Sequence, residues 1–226
     1  MQDELTIVIP AYNEEKSIRS TISQCRKYCP DSSILVIDDG SDDETAKIGS
    51  GLARKDKRLR IISAKKNQGY GASLIKGFEE AKTQYVAFLD ADLTYHPKYL
   101  PEMLSILREK DLGCIWGSRF QMQSRMPLIR RIGNRILIIL FFIITGRKVQ
   151  DVSSGQRILT RDALRQIDFK TLPKGLDMIT AMTKRIVSRR IRYQIIPVEY
   201  AKRSGSSKLN ILMDFLRMSR NIVMVK

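Results

Sequence analysis

The chain has 226 residues, 43% of them hydrophobic and 28% charged, with 13 glycines and 7 prolines; this excludes disorder, collagen and a small disulfide scaffold, and it suffices for one sizeable core. The formal charge of +16 is uneven: residues 1–113 carry 17 basic and 18 acidic side chains, residues 114–226 carry 23 and 6. The second half is therefore expected to face something anionic.

The acidic start Met1-Gln2-Asp3-Glu4 leads directly into a strand-like run, so no signal peptide is expected. Apolar, β-branched runs at 5–10, 33–38, 59–63 and 85–90 alternate with helix-period stretches at about 15–29, 43–55, 71–82 and 98–110. Runs this continuous belong to a sheet covered on both faces, and their order predicts an α/β fold with a mostly parallel central sheet flanked by helices. A basic and apolar stretch (128–145), a helix (175–190), a strand (191–198) and an amphipathic segment from Leu209 follow. The run Ile136 to Ile144 is about half of the ~20 residues that cross a bilayer, so it is expected to lie on a membrane or in a core. Cys25, Cys29 and Cys114 contain no CxxC pair, which fits a reducing, cytosolic setting better than zinc or disulfides.

Sheets of this kind carry chemistry at the carboxyl ends of their strands. Here those ends hold Pro10 to Glu15, Asp38-Asp39-Gly40-Ser41 and Asp90-Ala91-Asp92. A single acidic strand end is commonly a cap or turn; several converging ones point to a site. Asp90 and Asp92 flank one small residue, Ala91, which leaves room for a ligand while both carboxylates turn to one hard cation, Mg²⁺ or Mn²⁺ on a diphosphate. Gly69-Tyr70-Gly71 lacks the third glycine of a dinucleotide fingerprint, Leu74 standing in its place, and reads as a turn feeding a helix.

IPAYNEE (9–15), IDDGSDDET (37–45), DAD (90–92) and GSRF (117–120) together resemble family 2 inverting glycosyltransferases of the GT-A fold. DVSSGQR (151–157) and RSGSSKL (203–209) are similar to the later motifs of dolichol-phosphate mannose synthases and other polyprenyl-phosphate glycosyltransferases. The resemblance implies that Pro10, Tyr12 and Glu14 line the nucleotide-base pocket, that Asp39 contacts the nucleoside, and that Asp90 and Asp92 hold the metal. Thr94 stands where the synthases often have Gln, and His96 is expected to be a loop residue. The resemblance divides the chain into a catalytic domain (1–208), with an amphipathic membrane-interface segment at 128–145, and a C-terminal amphipathic helix (209–226).

A polyprenyl phosphate acceptor is already an oxyanion near neutral pH, so it needs cationic positioning more than a strong base. Arg119, Arg131, Arg135 and Arg203 are candidates to hold it, since guanidinium forks suit phosphate; Arg130 competes with Arg131, and Lys208 joins them from the last motif. Asp151 is read as a carboxylate that orients the acceptor or receives a proton, with a salt bridge to a nearby arginine as the other reading; Asp177 ranks below it as a base. The expected activity is transfer of a hexose, mannose from GDP-mannose or else glucose from UDP-glucose, to a polyprenyl or dolichyl phosphate. The expected place is an anionic membrane surface on the cytosolic side, peripheral, or integral if spans follow Lys226. The alternatives are a family 2 transferase with a saccharide acceptor and a basic nucleic-acid-binding module. The second is disfavoured because the basic half lacks a binding motif and interleaved stacking aromatics.

Overall fold

The first four apolar runs become neighbouring parallel strands because neither of their faces meets water. The computed structural model describes residues 4–122, 124–203 and 211–225. Its strands are β1 (Leu5–Ala11), β2 (Ser33–Asp38), β3 (Leu59–Ser63), β4 (Tyr85–Phe88), β5 (Cys114–Ser118), β6 (Arg157–Thr160) and β7 (Tyr193–Pro197), in the sheet order β3-β2-β1-β4-β6-β5-β7. Only β6 runs against its neighbours, pairing antiparallel with β4 and β5. Neither β5 nor β6 was anticipated: Gly117 and Ser118 in one and Arg157 and Thr160 in the other leave apolar cores of only three and two residues. They form strands because Ile115, Trp116, Ile158 and Leu159 are fully buried in this setting.

Side-chain alternation splits the interior in two. Val8, Val86 and Phe88 face one layer, with α3 (Tyr70–Glu80) and α7 (Met178–Ser188). Ile7, Ile9, Ala87 and Leu89 face the other, with α1 (Ile18–Tyr28) and α4 (Leu100–Glu109). In α1 the buried residues Ile18, Thr21, Ile22 and Cys25 recur at helical spacing. Burial of a side chain such as Phe78 or Phe88, both at 0% exposure, contributes about 1.5–3 kcal/mol. Two shorter helices, α2 (Thr45–Ala53) and α6 (Arg161–Gln166), follow β2 and β6.

The two remaining helices behave differently. In α5 (Leu128–Thr145) only Leu137 and Phe141 are buried, one turn apart, and the helix stops at Gly146, whose φ of 66° suits glycine. α8 (Ile211–Met224) packs against α5 and α7 and buries Met218 and Ile222. The outer faces stay apolar: Leu128 is 71% exposed, Ile143 69% and Leu212 67%, with Ile129, Ile132, Ile136, Ile139 and Leu216 also exposed. Among the described residues no helix is long and apolar enough to cross a membrane.

Candidate active site

The ends of β1, β2 and β4 open into a cleft of about 450 Å³ lined by Pro10, Tyr12, Glu14, Asp39, Ala91 and Asp92, together with Asp90. Asp39 closes one wall of the cleft. Its two oxygens accept the N–H groups of Gln68 and Gly69, each at 2.8 Å, and pin the turn that starts α3. Burial raises its pKa, and the two N–H bonds oppose the shift. Glu14 accepts the Ser17 hydroxyl at 2.7 Å and the Arg203 guanidinium at 2.6 Å, so Arg203 is held at the β1 end of the cleft.

The acidic pair lies on the floor. Burial, then the Asp92 charge, push Asp90 up to about 7. Tyr70 donates its hydroxyl to Asp90 Oδ1 at 2.8 Å. Gly155 comes so close that a Cβ there would stand 2.9 Å from Oδ2. Asp92 Oδ1 accepts both the N–H (3.0 Å) and the hydroxyl (2.6 Å) of Thr94, and its Oδ2 lies 3.3 Å from Arg203 Nε. Two carboxylates held together away from water favour a divalent cation, and the glycine leaves space for one, so the residues fit Mg²⁺ or Mn²⁺. No cluster of three or more His, Cys, Asp or Glu side chains occurs among the described residues; water and diphosphate oxygens would supply the remaining ligands. Thr94 braces Asp92. The His96 ring accepts the Lys98 N–H at 3.1 Å through Nδ1 and meets Tyr28 edge to face; it is a loop residue, as expected.

Across the cleft, Arg119 is the best-fixed cation. It forms a two-pronged pair with Asp151, Nε to Oδ2 at 2.7 Å and Nη2 to Oδ1 at 2.8 Å, and its guanidinium lies over the Tyr200 ring. Arg119 Nη2 also donates to Ser153 Oγ (2.8 Å), whose hydroxyl donates to Asn134 Oδ1 on α5 at 2.6 Å. This corrects one reading of Asp151. It has 0% exposure and is enclosed behind Arg119 as its counter-ion, so the salt-bridge reading describes its place and an acceptor-facing carboxylate does not. Trp116 Nε1 donates to the Asp151 carbonyl at 2.8 Å, fixing this corner from the sheet side.

The other basic candidates separate. Arg130 lines the cleft, whereas Arg131 and Arg135 are exposed on α5 and outside the lining; the helical turn that points Arg130 inward sends its neighbour out. Arg203 lines the cleft, and Lys208 lies outside the described residues. Asp177 accepts the Asn221 side-chain amide at 2.7 Å and ties α7 to α8. Sequence reading missed Tyr70, Ser153 and Asn134 as site residues. Their signals were present: a tyrosine between two glycines, a serine inside DVSSG, and a polar residue one turn before Leu137 on the inner face of an apolar helix.

Beyond the acidic pair the lining becomes more apolar. Ile129, Leu137, Ile179, Phe215 and Met218 line it where α5, α7 and α8 meet, with Asp214 and Arg217 of α8 beside them, so the pocket runs from Asp90 and Asp92 to the exposed apolar faces of α5 and α8.

The Glycosyl transferase family 2 model matches residues 6–168. The chain is 29% identical over 211 residues to an undecaprenyl-phosphate mannosyltransferase of Micrococcus luteus, covering 90% of this chain and 86% of the relative. It is 29% identical over 224 residues to a dolichyl-phosphate hexose transferase of Haloferax volcanii, covering 99% and 94%. It also matches the Low-salt glycan biosynthesis hexosyltransferase Agl6 of Haloferax volcanii, 28% identical over 217 residues, with 93% of this chain covered but only 51% of that relative's length. Glucosyl-3-phosphoglycerate synthase from Mycobacterium tuberculosis, solved with Mn²⁺, UDP and phosphoglyceric acid, shares the fold at a TM-score of 0.73 and 20% identity, over 98% of this chain and 76% of that one. The sheet and its flanking helices are thus those of a GT-A α/β fold, and the chain belongs to glycosyl transferase family 2.

Proposed function

We propose that this glycosyltransferase moves a hexose from a nucleoside diphosphate sugar to a polyprenyl phosphate, of dolichyl or undecaprenyl type, at an anionic membrane surface. One observation carries the reading: a single cleft joins a carboxylate pair suited to a metal–diphosphate to an apolar channel that opens on the exposed faces of α5 and α8. A lipid phosphate has that polarity from head to tail, and a saccharide acceptor does not. The names of the Micrococcus and Haloferax relatives point to the same acceptor class.

In this reading Pro10, Tyr12 and the wall braced by Asp39 receive the nucleoside, and mannose from GDP-mannose comes before glucose from UDP-glucose as donor. Asp90 and Asp92 would hold Mg²⁺ or Mn²⁺, which neutralises the diphosphate and improves it as a leaving group. Arg203, between Glu14 and Asp92, is placed to add positive charge on the donor side. Arg119, fixed by Asp151 and Ser153, and Arg130 receive the acceptor phosphate. A phosphate oxygen then attacks the anomeric carbon from the face opposite the nucleotide. The new C–O bond forms as the bond to the diphosphate breaks, the configuration inverts, and no proton has to be removed from the acceptor. Exposed basic residues on the two outer helices (Arg131, Arg135, Arg217 and Arg220) and just after α5 (Arg147 and Lys148) suit an anionic lipid surface, each worth about 1 kcal/mol close to it. In this reading the enzyme works on the cytosolic face of a membrane, with 1–208 as the catalytic domain and the C-terminal segment that holds α8 at the interface.

The test is transfer of labelled hexose, with Mn²⁺ or Mg²⁺, to a short polyprenyl phosphate and to a panel of free saccharides. Labelled lipid-linked hexose is the expected product; transfer to a saccharide with none to the lipid phosphate would overturn the reading.

A further inference from the structure

The structure assigns Tyr70 as a positioning residue that fixes the Asp90 carboxylate for metal–nucleotide binding and ties it to the nucleotide-side wall. Three observations meet at this residue. Its hydroxyl donates to Asp90 Oδ1 at 2.8 Å. Gly155 stands against the same carboxylate, where a Cβ would lie 2.9 Å from Oδ2 and 3.0 Å from Oδ1. The two residues before it, Gln68 and Gly69, give their N–H groups to the two oxygens of Asp39.

The backbone here is built for this arrangement. Gly69 has a φ of 106°, a conformation open to glycine, and a side chain there would meet the Lys174 carbonyl at 2.5 Å. Ala72 N–H donates to that same carbonyl at 3.0 Å, so the first turn of α3 is seated on the segment before α7. Tyr70 thus begins a helix anchored on both sides, and its ring packs against the core. A carboxylate otherwise rotates about its terminal bond. Here the tyrosine engages Oδ1 and the glycine bounds the rotation, while Oδ2 has no hydrogen-bond partner among the described residues and remains for a cation. Partners of this kind behind a metal ligand typically change affinity or activity by about 10–100-fold when lost.

The inference rests on the reading of Asp90 and Asp92 as the metal pair, and the experiment separates the two. Mn²⁺ binding in the presence of GDP and, separately, of UDP is measured, by the electron paramagnetic resonance signal of unbound Mn²⁺, for the unmodified chain, Tyr70→Phe and Gly155→Ala. Tyr70→Phe keeps the ring in the core and deletes the hydroxyl alone; equal melting temperatures for it and the unmodified chain establish that it folds. The expected result is Mn²⁺ affinity weakened about tenfold or more in Tyr70→Phe, with kcat recovering at saturating Mn²⁺ and UDP affinity without metal unchanged. Gly155→Ala, which crowds Asp90, is expected to weaken Mn²⁺ in the same way. If the unmodified chain binds Mn²⁺ and Tyr70→Phe binds it equally well, the role of Tyr70 is overturned and the metal pair stands. If the unmodified chain binds Mn²⁺ with neither GDP nor UDP, the metal reading fails and the proposal with it.

Discussion

The two walls of the cleft handle charge in opposite ways. On the donor wall, Asp90 and Asp92 stand together with fewer cations than carboxylates, and burial drives Asp90 toward its protonated form. On the acceptor wall, Arg119 carries its own enclosed counter-ion, Asp151; burial opposes its charge, but Asp151 together with Tyr95 and Tyr200 raises it above its ordinary range. The donor wall is complete only with an added cation. The acceptor wall is preorganised without one, so that an arriving phosphate meets a guanidinium that no longer has to be oriented.

The hardest blow to this contrast falls on the donor wall. Asp92→Asn keeps the volume and the bracing by Thr94 but removes half of the metal's carboxylate charge. Turnover is expected to fall by at least about a thousandfold, because metal charge stabilisation is worth several kcal/mol, with the melting temperature little changed. Near-normal activity of this variant in Mg²⁺ or Mn²⁺ would remove the metal from the donor wall.

On the acceptor wall a single substitution does two things. Arg119→Ala deletes the phosphate fork and also strands a buried carboxylate, a loss of about 3–5 kcal/mol in stability. The double variant Arg119→Ala with Asp151→Asn removes the stranded charge. It is expected to regain most of the stability while transfer to polyprenyl phosphate stays down by about a hundredfold or more, as for loss of one preorganised donor, with nucleotide-sugar affinity retained. Recovery of transfer along with stability would show that Arg119 serves the fold alone.

The donor wall's charge excess also gives it a pH dependence. Asp90 goes from an ordinary 3.8 to about 7 in the folded chain. Between those values the metal-free folded protein holds a proton that the unfolded chain has released, so its stability falls as pH rises through that window. Metal binding runs the other way: it needs the carboxylate, so Mn²⁺ affinity should drop by about tenfold per pH unit below 7. Titrations from pH 5.5 to 8 measure this; a flat profile would mean that Asp90 is ionised throughout.

The donor wall was also the more legible in sequence. Pro10, Tyr12, Asp39, Asp90 and Asp92 sit at the ends of long apolar strands, where chain order alone announces both the sheet and its functional edge. Helix bounds differed by a few residues, α1 starting at Ile18 where about 15 was expected, because capping and the first turn do not follow hydrophobic spacing. The acceptor wall hangs on what sequence hides. Glycine and polar residues interrupt the apolar runs of β5 and β6, and their antiparallel pairing brings Trp116 beside Arg157 and so sets the DVSSG loop next to GSRF. Only that contact reveals Asp151 as a partner of Arg119. The choice of Arg130 over Arg131 likewise required the rotation of α5 about its axis.

The exposed faces of α5 and α8 extend the acceptor wall outward. Vesicles containing anionic lipid are expected to bind the protein several-fold better than neutral ones, since each basic side chain near the surface adds about 1 kcal/mol, and raised salt should reduce the difference. A salt-resistant remainder would come from Ile129, Ile136, Ile139 and Ile143, whose side chains are exposed. Equal binding to both kinds of vesicle would sever these helices from any charged lipid surface.

The smallest expected effect tests the contrast most directly. Asp177 lies at the start of α7 with its carboxylate on Asn221 of α8. Asp177→Asn leaves an oxygen to accept that bond, so the change is worth about 0.5 kcal/mol and turnover should stay within about threefold. A phosphate acceptor arrives ionised, so nothing on this wall has to take its proton; a sugar hydroxyl would need a base, and Asp177 is the base candidate from sequence that the structure leaves unburied beside α8. Transfer rates for Asp177→Asn and for the Arg119/Asp151 double variant, measured side by side, therefore read the acceptor's chemistry. Loss of the first with survival of the second would mean an acceptor that must be deprotonated, and the saccharide reading would replace the lipid phosphate.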